Sequence, residues 1–149
     1  MKTDAKYRRN LPHLGGRLFL TDGGIETSLI FQDGLDLPHF AAFHLLRNMA
    51  GRAALVRYYE RYIEIAKSDG VGFILESPTW RASTDWGDRL GYSRADMAAV
   101  NAKSIELMHA LREAHETTRM PMVVSGCVGP RGEVPIFPPT PHGNNRELR

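Results

Sequence analysis

The chain has 149 residues, of which 42% are hydrophobic and 24% are charged, a composition typical of a soluble globular protein of roughly one domain. The formal net charge is only +2, and no sustained basic stripe of the kind that nucleic-acid binding requires is present. No apolar run approaches the ~20 residues that span a bilayer, and the first residues lack the apolar core of a secretion signal. We therefore expect a cytoplasmic protein that binds neither nucleic acid nor a membrane.

Short apolar runs predict three buried strands. Each run is too continuous for a half-exposed strand and too short for a helix. The runs are RLFLTD at residues 17–22, VGFILES at residues 71–77 and MVVSGC at residues 122–127.

Helices are predicted between these strands. A short helix is expected over residues 38–49, and apolar residues recur with the helical period in residues 52–69, where Gly70 follows as a C-terminal cap. Ser93, with Asp96 three positions later, indicates a capping box at the start of a helix that ends near Thr117. One face of that helix is predicted to carry Met97, Val100, Ser104, Leu107, Met108 and Leu111.

The alternation of strands and helices predicts βαβ units and a parallel sheet. An open nucleotide-binding sheet would need G-x-G-x-x-G after the first strand, and this pattern is missing. The predicted fold is therefore α/β, a partial (β/α)8 TIM-type barrel of about three βα units. We divide the chain into an extension (1–16), the N-terminal portion of the barrel (17–132) and an irregular Pro-rich tail (133–149).

The tail departs from the βα pattern where a barrel enters its third helix. We expect a truncation or a frameshift near residue 133, and the alternative is a flexible tail on a small independent protein. Three strands of a closed barrel leave an unpaired strand edge, so we expect a piece that is either marginally stable or associated into a homo-oligomer.

All three strands end in loops of unusual content: TDGGIET, ESPTWRASTDWG and SGCVGPRG. In a parallel sheet these ends lie on one rim, so Asp22, Glu76, Thr79 and the turn over residues 126–132 are predicted to converge. Glycine amides hold a carboxylate and Asp22 supplies a negative charge, a combination that suits a zwitterionic amino acid. Asp-Gly after a strand is equally the mark of a plain turn.

Three ordered motifs, TDGGIET, SPTWRAS and SGCVGPRG, resemble the N-terminal half of the homocysteine S-methyltransferase family over residues 17–132. The resemblance implies a small-molecule enzyme that transfers a methyl group from a sulfonium or quaternary ammonium donor to homocysteine, giving methionine. It also implies that Asp22, Gly23 and Gly24 hold the amino-acid end of homocysteine, with Thr79 as a neighbour. That Glu76 pairs with the substrate ammonium or the donor cation is our own hypothesis.

The resemblance further implies a zinc ion held by three cysteine thiolates in the C-terminal half of the barrel. This chain stops before those positions, and Cys127 stands where the family has the serine of its glycine-proline turn, so we predict a buried small residue and not a ligand. The six histidines show no ligand spacing. We therefore expect no zinc and no catalytic residue in the chain alone, which is then an inactive fragment.

Two other functions stay open at this point. One is a non-catalytic interaction module that oligomerises through its exposed edge. The other is a metal-free lyase or hydrolase that uses Asp22 and Glu76 as acid and base. In the second loop, Trp80 and Trp86 form either simple packing or an aromatic wall for a cationic methyl donor.

Overall fold

The structure is a computed structural model and describes residues 6–131. Its sheet has three parallel strands in the order β1-β2-β3, namely β1 (Phe19–Thr21), β2 (Gly72–Glu76) and β3 (Met122–Ser125). Phe19 lies opposite Gly72, and Glu76 lies opposite Ser125. All three predicted strands are confirmed, each shorter than its apolar run. The predicted Pro-rich tail lies outside the described residues.

Helical segments connect the strands. After β1 comes α1 (Ile25–Thr27), which continues directly as a π-helical turn (Ser28–Gln32). The segments that follow are α2 (Met49–Asp69), α3 (Thr84–Arg89) and α4 (Arg94–His115).

The helix predicted over residues 38–49 is wrong in type. Two 3₁₀ segments take its place, Pro38–Phe40 and Ala42–Arg47. His39 and Phe40 both have φ near +55°, in the left-handed region that a right-handed helix cannot include. A continuous helix is therefore interrupted before Ala42, and the segment Ala42–Arg47 packs against α2 and α4.

The ends of the two long helices follow their sequence signals. The Asn48 side chain accepts a hydrogen bond from the amide of Gly51 at the start of α2 (2.8 Å), and Gly70 ends that helix with φ +66°. At the start of α4, Ser93 and Asp96 form both halves of the predicted capping box. The last carbonyls and first amides of these helices thus find partners.

The core lies between the sheet and helices α2 and α4. Every predicted apolar-face residue of α4 is buried. The helical period in residues 52–69 predicts an apolar stripe on α2, and its members are buried apart from the partly exposed Tyr62: Leu55, Tyr59, Tyr62, Ile63 and Ala66. In β2, Phe73 and Leu75 are fully buried, whereas Ile74 on the opposite face is only half-buried. The prediction that β2 is buried on both faces therefore holds in full on the face of Phe73 and Leu75, whereas on the other face burial decreases from Gly72 to the exposed Glu76.

These elements establish an α/β architecture with a parallel three-stranded sheet. Three strands do not define a barrel, so the TIM-type barrel stays a prediction. Within residues 6–131, no helix combines the length and the apolar character needed to cross a membrane.

Candidate functional site

A pocket of about 230 Å³ lies where β1 and β2 end, beside the turn that follows β3. We call it the strand-end pocket; Asp22, Gly23, Gly24 and Glu76 line it together with Cys127. Four of the five predicted substrate-binding residues are thus brought together, although their binding role stays a prediction. The carboxyl ends of parallel strands are where α/β sheets place ligands.

Thr79, the fifth predicted residue, is buried behind the pocket and does not line it. Its hydroxyl donates to the carbonyl of Cys127 (2.7 Å) and pairs with the hydroxyl of Ser77 (2.7 Å), which in turn accepts from the amide of Cys127 (3.1 Å). These bonds tie the loop after β2 to the turn after β3. Thr79 therefore supports the wall of the pocket.

Three carboxylates surround the pocket. Burial raises the pKa of Asp22, the hydrogen bond from Tyr58 partly opposes this, and the negative charge of Glu76 adds to it. Burial likewise raises the pKa of Glu26, which also lines the pocket. Sequence reasoning missed Glu26, although it stands inside the TDGGIET motif; the turn into α1 directs it back to the strand end.

Cys127 corrects a prediction, because it is not buried but half-exposed at the pocket. Its backbone is held on both sides by Ser77 and Thr79, which turns the residue towards the strand ends. Burial raises the pKa of its thiol to about 12, with a hydrogen bond to the Glu76 carboxylate as the next cause. Since the thiolate is the nucleophilic form of cysteine, the raised pKa keeps this thiol in its less reactive, protonated form at neutral pH.

The two tryptophans of the second loop have different roles. Trp86, in α3, is 1% exposed and belongs to the packing, whereas Trp80 is 36% exposed and lines the pocket. The Arg81 guanidinium lies 3.8 Å from the ring centroid of Trp86 and 4.7 Å from that of Trp80. Of the two tryptophan rings, that of Trp80 borders the pocket, where Tyr59 also lies, and the cation between the two tryptophans is the protein's own Arg81.

Gly129 explains why the third motif contains a glycine. A Cβ atom at this position would overlap the carbonyl oxygen of Trp80 and would lie 2.7 Å from Cδ1 of its indole ring. At Gly126 in the same turn, a Cβ atom would meet nothing within 4 Å. The turn after β3 thus packs directly on the backbone of the loop after β2, and only Gly129 permits it.

Two tyrosines of α2, of which Tyr59 lines the pocket, form hydrogen bonds at the strand ends. The Tyr58 hydroxyl lies 2.9 Å from Asp22 Oδ2 and 2.9 Å from the Gly23 carbonyl oxygen, and the Tyr59 hydroxyl donates to the Glu76 carbonyl (2.7 Å). The helical period correctly predicts that Tyr59 is buried, but periodicity says nothing about a hydroxyl at the end of the ring. The polar end of each ring reaches a strand end that carries a carboxylate.

Zinc, which the resemblance implies, does not fit the residues described. Within residues 6–131, no group of three or more His, Cys, Asp or Glu side chains is arranged to hold a metal ion. No zinc ligand is therefore assigned among these residues.

Comparison with known proteins gives one match. A family model described as homocysteine S-methyltransferase matches residues 19–148. No curated protein and no solved structure matches the chain. The match begins at β1 and continues beyond residue 132, where the resemblance of the three motifs to the family was expected to end.

Proposed function

Since the chain belongs to the homocysteine S-methyltransferase family, we propose that the strand-end pocket binds the amino-acid end of homocysteine. The observation that carries this proposal is that Asp22, Gly23, Gly24 and Glu76 line a single pocket. Backbone amides of a glycine pair suit a carboxylate, and two carboxylates suit an ammonium group. The pocket thus offers complementary partners for both charges of an amino acid.

The charge of the pocket supports one orientation of the substrate. Asp22, Glu26 and Glu76 all act to raise the pKa of the Cys127 thiol, after burial itself. The same negative field would oppose ionisation of a substrate thiol placed there. We therefore propose that the ammonium end of homocysteine enters the pocket and that its sulfur points away from the acids.

The reaction we propose for this type of protein is methyl transfer to the homocysteine sulfur. The homocysteine thiol gives up its proton, and its sulfur forms a C–S bond to the methyl carbon as the C–S⁺ or C–N⁺ bond of a sulfonium or quaternary ammonium donor breaks. The products are methionine, a neutral sulfide or amine, and the released proton. The carboxylates of the strand-end pocket (Asp22, Glu26 and Glu76) attract such a cationic donor over distance. The described residues bind and orient; zinc is not assigned to any of them, and no step is routed through it.

Calorimetric titration of the 149-residue chain tests the proposal. We expect L-homocysteine to bind and 4-mercaptobutyrate, which lacks the ammonium group, to bind far more weakly. Glu76→Gln should weaken L-homocysteine binding about tenfold, because a charge-assisted hydrogen bond contributes on the order of 1.5 kcal/mol.

The matched control is Asp88→Asn, which removes one carboxylate from an exposed position outside the pocket. Its affinity for L-homocysteine should equal that of the wild-type chain. Equal affinities for Glu76→Gln and wild type would remove Glu76 from the site. Equal affinities for the two ligands would mean that the pocket does not recognise an amino acid.

A second candidate function is favoured by one observation. Asp22 and Glu76 share the pocket, and the raised pKa of Asp22 is typical of a general acid. We propose a metal-free lyase or hydrolase as this alternative. Turnover of an amino-acid thioether in the presence of a chelator, lost in Asp22→Asn, would favour it over methyl transfer.

A further inference from the structure

Tyr58 and Tyr59 stand side by side in α2 and are both fully buried. Their rings meet edge to face with centroids 5.2 Å apart. Phenylalanine would fill the same space in the core and would need no hydrogen-bond partner. The hydroxyl groups therefore require an explanation other than packing.

The Tyr58 hydroxyl has two acceptors that are consecutive in the chain. It lies 2.9 Å from Asp22 Oδ2 and 2.9 Å from the carbonyl oxygen of Gly23. One hydroxyl proton serves both oxygens, so the bond joins the Asp22 carboxylate to the next peptide unit. The same peptide unit carries the amide of Gly24, a residue that lines the pocket.

We infer that Tyr58 is a positioning residue that holds the Asp22 carboxylate and the Gly23 peptide in the arrangement needed to bind an amino acid. The identity of the amino acid that binds rests on the proposed function. The positioning itself is a property of the protein and is measurable without a ligand. Because Tyr58 lies on α2, the helix fixes the geometry of the pocket from below.

The surroundings of Asp22 make this bond decisive. Glu76 on β2 and Glu26 on α1 face the site with like charge, and Cys127 after β3 is neutral. Of the side chains in residues 6–131 that shift the pKa of Asp22, Tyr58 alone favours the ionised carboxylate. Loss of its hydroxyl leaves a backbone hydrogen bond as the remaining contact that favours the ionised carboxylate against burial and the charge of Glu76.

The test is a carbon-13 NMR titration of Asp22 in the 149-residue chain and in Tyr58→Phe, with Asp22→Asn to identify the signal. We expect the carboxyl group to titrate at higher pH in Tyr58→Phe than in wild type. L-homocysteine should bind that variant about tenfold more weakly at neutral pH. The matched control is Tyr92→Phe, which removes a hydroxyl bonded to His44, away from the pocket.

A purely structural role predicts a different result, namely a lower melting temperature with Asp22 titrating as in wild type, and this result would overturn the inference. If Tyr58→Phe does not fold, the Cζ resonance of Tyr58 in wild type decides: it should follow the titration of Asp22, and an unresponsive Cζ refutes the bond. If the titration of Asp22 moves to higher pH in Tyr58→Phe but neither that variant nor the wild-type chain binds L-homocysteine, the positioning role stands and the proposed function fails.

Discussion

Replacing Gly129 by alanine tests how the motif after β3 is packed. The added Cβ would overlap the Trp80 carbonyl oxygen and would lie 2.8 Å from the carbonyl carbon. The obstructing atoms are backbone, so they cannot rotate away as a side chain does. Overpacking of this kind costs about 1–3 kcal/mol, and we expect a loss of about 2 kcal/mol in the free energy of unfolding.

Urea unfolding of Gly129→Ala, Gly126→Ala and the wild-type chain measures the effect. A loss of about 2 kcal/mol corresponds to a decrease of about 4–8 °C in melting temperature for a protein of this size. Gly126→Ala is the matched control, because its Cβ would enter open space. Its stability should equal that of wild type or exceed it slightly, since alanine restricts the unfolded chain.

The mutation should also reach the pocket, because Trp80 lines it. A displaced loop after β2 would change the fluorescence of Trp80 and weaken ligand binding. Equal stability of Gly129→Ala and Gly126→Ala would refute the close approach of the two loops.

Two further predictions concern the acidic pocket. The pKa of Asp22 is raised in the folded protein, so its ionisation opposes folding: the penalty is absent below the ordinary value of 3.8 and complete above the raised value. Asp22→Asn should therefore raise the melting temperature at neutral pH, with the gain shrinking on acidification; a gain independent of pH contradicts the burial of this charge. Cys127 should react slowly with iodoacetamide at neutral pH because its pKa is about 12, and Glu76→Gln should accelerate the reaction. An unchanged reaction rate would show that Glu76 does not raise the pKa of the Cys127 thiol.

The main elements of the fold are predictable because their signals are local. The stripe of α4 and the capping box at Ser93 depend on residues within a few positions of one another. The parallel arrangement follows from the alternation of strands and helices. Even the gathering of Asp22 and Glu76 follows, since strand ends of a parallel sheet share a rim.

What is not predictable depends on contacts between distant segments. The helix α3 begins in a loop whose polar residues give no helical stripe, and Trp86 becomes buried through tertiary packing. The exposure of Cys127 is set by bonds to Ser77 and Thr79, about 50 positions earlier in the chain. The hydrogen bond between Tyr58 and Asp22 joins a helix to a strand end. A periodic pattern predicts which helix face is buried, but it does not predict which atom accepts the hydrogen bond of a tyrosine hydroxyl.

The most direct test of the central claim is an amide NMR titration of the 149-residue chain with L-homocysteine. The account predicts that the resonances of Gly23 and Gly24 shift most, that L-methionine shifts the same resonances because it has the same amino-acid end, and that 4-mercaptobutyrate does not. Shifts confined to residues outside the strand-end pocket, or no shifts at saturating L-homocysteine, would contradict it.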